Sequence, residues 1–97
     1  MSLLSKPIAA GNLSGSVFDF EVAGDILPMH IHNESTAHIT IVARGSIKMR
    51  GIDWERKYEC GAILDCPAGQ AHEFVALEDN TRIVNIIKTT NLQTTTP

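Results

Sequence analysis

Short runs of β-branched and aromatic residues recur about every ten residues along this chain, bounded by glycine, proline, asparagine or aspartate. Residues 16–22 alternate, with Val17 and either Phe18 or Phe20 competing for the inner face. Residues 26–32 form a second run and 37–43 a third, stopped by Arg44 and Gly45. Residues 46–50 and 58–64 follow, joined across a turn near residues 52–55. Residues 71–77 and 81–88 read as a final hairpin over Glu78, Asp79 and Asn80. No segment keeps a helical period. The rhythm predicts an all-β sandwich or barrel with no substantial helix.

With 97 residues the chain has room for one core, so residues 1–97 are expected to form one domain, with a polar, threonine-rich tail over 89–97 that frays. The net charge of −3 gives no electrostatic case for nucleic acid or an anionic membrane. Lys48, Arg50, Arg56 and Lys57 come closest to a basic cluster, but Asp53, Glu55 and Glu59 interrupt them, as on a solvated hairpin. No apolar run approaches a membrane span, and residues 1–7 lack the apolar stretch of a secretory signal. A cytoplasmic location is the expectation. Cys60 and Cys66, with five residues between them, have neither redox-pair spacing nor scaffold density, and read as two reduced, packed thiols.

The four histidines stand at 30, 32, 38 and 72, all in or beside expected strands. His30 and His32 flank Ile31, and in a strand such residues share a face. At about 3.3 Å per residue their Cα atoms lie about 7 Å apart, within reach of one ion. His38 falls on the next strand with Thr40 and Val42 on its face and Ile39 and Ile41 on the other. His72 opens a later strand with Phe74 and Ala76 on its face. Histidine is the commonest metal ligand, and together these four point to one shared ion.

At these residues the chain resembles the cupins. Gly24, five residues, His30-Ile31-His32, His38 and then six residues to Gly45 are similar to the first cupin motif. Gly61, five residues, Pro67-Ala68-Gly69, two residues and His72 are similar to the second. The resemblance spans residues 24–76. It implies a small double-stranded β-helix, the jelly-roll barrel of the cupins, with a metal in its mouth. Gly24, Gly45, Gly61 and Gly69 would turn the chain at strand junctions, and Pro67 would set a rigid turn before His72.

The departures from the family matter more than the matches. The usual acidic ligand is replaced by His38, one residue further from His32 than the motif allows. Counting back six residues from Gly45 favours His38; Glu34 is the rival carboxylate and a weak candidate for a catalytic acid or base. Ala76 stands in place of a common asparagine, and Ala62 in place of an acidic residue. Four neutral imidazoles leave a divalent ion at +2, which favours an anionic oxygen ligand such as hydroxide, carboxylate or enolate. The shell suits one divalent transition metal, Zn, Fe, Ni, Cu or Mn. Phe18, Phe20, Thr40, Met49 and Phe74 are the expected pocket lining.

Three functions fit. The resemblance implies an enzyme of dioxygenase, isomerase or lyase type, a binder or sensor of a small metabolite, or a barrel with a structural metal. Ile39 and Ile41, turned away from the site, and a final strand that is apolar on both faces, with Ile83 and Ile87 on one and Val84 and Ile86 on the other, lead to the expectation of a homodimer.

Overall fold

The computed structural model describes residues 3–30, 37–66 and 71–88. Among them are nine strands: β1 (Leu3–Ala10), β2 (Leu13–Phe20), β3 (Ile26–His30), β4 (Ala37–Arg44), β5 (Ser46–Arg50), β6 (Glu55–Glu59), β7 (Ile63–Cys66), β8 (His72–Ala76) and β9 (Thr81–Lys88). They build two antiparallel sheets, β1-β2-β9-β4-β7 and β3-β8-β5-β6. No helix of the described residues is long and apolar enough to cross a membrane.

The alternation of each strand decides which residues fill the space between the sheets. In β8, His72, Phe74 and Ala76 are buried while Glu73 and Val75 are half-buried; in β9, Thr81, Ile83 and Asn85 take the buried positions. Phe18 and Phe20 pair with Ile83 and Thr81 and share the face between the sheets, while Val17, paired with Val84, takes the opposite face and is buried there as well. That resolves the competition in β2. Phe20, Val42, Ile47, Met49, Leu64, Phe74, Ala76 and Ile83 form the core, with Trp54 and Tyr58 packed against it. Each fully buried aliphatic or aromatic side chain contributes about 1.5–3 kcal/mol.

Three expectations from the sequence are corrected. The run at 58–64 is two strands, because Gly61 at φ +98° turns the chain from one sheet to the other. Its N–H donates to the Val42 carbonyl at 2.9 Å, and the Ala62 N–H donates to the Glu59 carbonyl at 3.0 Å. Second, β8 and β9 are not a hairpin. They belong to different sheets, and residues 77–80 carry the chain across, held where the Asn80 N–H donates to the Glu21 carbonyl and the Ala23 N–H to Asp79 Oδ1. Third, Cys60 is exposed rather than packed. In addition β2 starts at Leu13, paired along its whole length with β1, while Val22 lies beyond it in the turn at Gly24.

Gly45 is the tightest of these junctions. Its φ is +78°, and a Cβ there would run into Thr81 Oγ1 and Cα. No other residue fits between β4 and β5 without moving Thr81. The Thr81 hydroxyl is committed, donating to the Glu78 carbonyl at 2.9 Å.

Candidate metal centre

His72 is the histidine whose side chain is placed. It is 1% exposed, on the inner face of β8, two positions from Phe74. The two rings meet edge to face, with centroids 5.6 Å apart and planes at 64°. Such a contact fixes the tilt of the imidazole and keeps water off that side of it.

His30 is placed by its backbone, directly opposite His72 across the β3–β8 ladder. Simple alternation does not put it there. Leu27 opposes Phe74, so without interruption Met29 would oppose His72. The register shifts between Leu27 and His30, one extra residue entering β3. Pro28 lies in the inserted stretch, and proline in a strand is confined to edges and bulges. β3 is an edge strand. The bulge therefore brings His30 to the register position that opposes a buried histidine, and in an antiparallel pair opposed residues share a face.

His38 comes from the other sheet. Its backbone partners are Ile87 in β9 and Cys66 in β7. It shares parity with Thr40 and Val42, both fully buried, whereas Ile39 is 44% exposed on the opposite face. The expected division of β4 into two faces holds for these described side chains. Cys66, read from the sequence as a packed thiol, is thus the cross-strand neighbour of His38, a placement that spacing alone could not reveal. His32, Glu34, Pro67 and Gly69 lie outside the described residues. Among the described side chains, no three His, Cys, Asp or Glu form a ligand set.

Below the His38 position the inner face is polar. Thr40 Oγ1 donates to Asn85 Oδ1 at 2.6 Å, in full burial. Of the other residues expected to line a pocket, Phe20, Met49 and Phe74 are buried in the core and Phe18 is half-buried against it. The ionic pairs lie elsewhere. Arg50 pairs with Glu73, and Lys48 with Glu55 at 3.7 Å. Arg82 Nε donates to Asp19 Oδ1 at 2.7 Å, and this hydrogen bond, aided by the charges of Arg82, Arg44 and Lys6, holds the Asp19 carboxyl below its ordinary range against a smaller opposing effect of burial.

No protein-family model and no curated protein matches the chain. Solved structures do. An RmlC-like cupin protein from Desulfovibrio desulfuricans superposes with a TM-score of 0.79 and 25% identity, over 90% of this chain and 82% of that one. The fold is that of a cupin. KdgF from a Halomonas species is similar at a TM-score of 0.78 and 21% identity, covering 91% of this chain and 79% of its own. An oxalate decarboxylase variant from Bacillus subtilis matches at 0.75 and 16%, over 90% of this chain but 25% of that longer one. In the cupin frame, the described motif glycines 24, 45 and 61 all take left-handed backbone, at φ +97°, +78° and +98°.

Proposed function

We propose that this cupin holds one divalent transition metal with His30, His32, His38 and His72, and binds a small, oxygen-bearing anion at it. The observation that carries the reading is the bulge that sets His30 opposite the buried His72, while the parity of β4 gives His38 the inner face of the other sheet. The donor chemistry fits: imidazoles suit Zn, Cu, Fe and Ni, and His72 lies buried on the inner face of its strand. A bound ion would supply Lewis acidity toward the oxygen of its ligand.

The chain's own residues do the rest. Phe74 orients His72 by its edge contact. Thr40 and Asn85 lock β4 to β9 directly beneath His38, so the strand carrying that histidine is fixed from below. The four-imidazole shell adds no negative charge, and the anion completes the charge balance. The reading takes the site as open to ligands, whether for turnover or for capture.

Elemental analysis of the purified protein, with His38→Ala and Glu34→Ala variants, tests this. About one metal per chain is expected, lost in His38→Ala and kept in Glu34→Ala. The reverse order would return the fourth ligand to a carboxylate. A Co-substituted protein whose visible spectrum ignores azide and acetate would overturn the open site. With anions bound, assays on diketones, flavonols and uronates separate an enzyme from a binder.

A further inference from the structure

The cross-strand row that holds His30 and His72 does not stop at β8. In β5, Arg50 pairs with Glu73 on one side and with Glu55 on the other. One step further on, Gly51 stands beside His72 and Trp54 beside Gly51. The Gly51 N–H donates to the Trp54 carbonyl at 2.9 Å, which closes the turn and keeps the two residues opposed. His30, His72, Gly51 and Trp54 thus form one row over all four strands of the sheet. Its inner face follows from the rows beside it, where Met49 opposes the buried Phe74 and Ile47 the buried Ala76. Gly51 and Trp54 share that parity, and with it the face of His72.

Glycine at 51 supplies no side chain, and the indole takes its place. A Cβ on Gly51 would strike Nε1, Cε2 and Cζ2 of Trp54, so that edge of the ring lies directly over the Gly51 backbone. The ring therefore lies one strand spacing, about 4.8 Å, from the His72 column. Two properties separate this indole from a core plug. It packs against the core on one side yet is only half-buried. A buried indole ordinarily gives its N–H to an acceptor, and among the described residues none accepts from Trp54. The hairpin tip also borders an open hollow of about 550 Å³, lined by residues 50–55 and of a size that takes a small molecule.

We infer that Trp54 is the aromatic wall of the ligand site, and that the anion taken there carries a flat, unsaturated body stacked on the indole. The inference rests on the metal reading: the oxygen of the ligand holds the ion while its body reaches from the His72 column to the ring. Flatness follows from the surface offered. An indole presents a rigid plane, and planar partners gain most from offset stacking on it. Acetate offers a carboxylate with no body to place there. Benzoate offers both.

Titration of the Co-substituted full chain with acetate and benzoate, read in the visible spectrum, tests this, with circular dichroism confirming the fold of each variant. Benzoate should bind about 5–10-fold more tightly than acetate in the wild type. Trp54→Ala should lose that margin and leave acetate binding within about 2-fold. Trp54→Phe should keep most of the margin, and Lys57→Ala on the outer face of β6 should change nothing. Trp54 is the single tryptophan of the chain, so its emission gives a second readout. Bound Co should quench that emission and bound Zn should not. Equal affinities for the two anions in the wild type, or an unchanged margin in Trp54→Ala, would overturn the inference with the metal site intact. Co bound with the emission unquenched would set the indole away from the ion and overturn it as well. A chain that takes up no Co would instead fail the metal reading, and this inference with it.

Discussion

Replacing Thr40 by valine removes one hydroxyl and almost no volume from a fully buried position. The hydroxyl donates at 2.6 Å to Asn85 Oδ1, joining residues 45 apart in sequence. Valine leaves that carbonyl oxygen without this donor where water has no access. A buried group stranded this way costs about 1–3 kcal/mol. Against a total stability of about 5–15 kcal/mol for a domain of this size, the loss is large. With a urea m-value of about 1–2 kcal/mol/M, a 2 kcal/mol loss moves the unfolding midpoint down by about 1–2 M. The thermal midpoint should fall by about 8–15 °C. Urea unfolding of Thr40→Val, Asn85→Leu and the double variant measures the coupling directly. The double variant should be more stable than the sum of the single losses allows, by about 1 kcal/mol or more. A single loss under about 0.5 kcal/mol with no coupling would refute the buried hydrogen bond.

Gly45→Ala should destabilise by about 2 kcal/mol or more, from the left-handed backbone and the collision with Thr81, and Thr81→Ala in the same chain should recover part of the loss in thermal melts. Asp19 has its pKa lowered from 3.8, so its contribution is present above about pH 4 and is lost as pH falls through the lower folded value; a pH series of urea midpoints should show this acid-side decline in the wild type, and a shallower one in Asp19→Asn. Phe74→Ala should cost about 3–5 kcal/mol in urea unfolding and loosen the orientation of His72. Cys60, exposed, should react with a thiol reagent in the folded protein at a rate that low denaturant leaves unchanged.

The strands at 46–50 and 81–88 are legible to the residue, because both alternate cleanly between defined turn residues. The inward side of His72 is legible too, since Phe74 and Ala76 share its parity and are buried with it. Sheet membership is not. β8 and β9 look like a hairpin because three polar residues separate them, yet each finds its partners elsewhere in the chain. Pairing between distant strands leaves no local trace. Gly61 could have divided the run at 58–64, since an isolated glycine in a strand pattern signals a break. Pro28 carried the missed signal at the site: a proline inside an alternating run announces the bulge. The neighbourhood of His38 and Cys66 arises from ladder register, which spacing does not encode.

The extra residue in β3 makes the bulge itself the vulnerable quantity around His30. Flattening it at constant length would slide Met29 into the place opposite His72 and carry His30 past it, with every side chain of the region still present. Deleting residue 28 or 29 would instead close the ladder into simple alternation and leave His30 opposite His72. The histidine pair therefore depends on an irregularity of the backbone that a change at Pro28 could iron out without touching either histidine. An engineer moving the pair to another barrel would need to carry the whole segment, proline included, or shorten it by one residue.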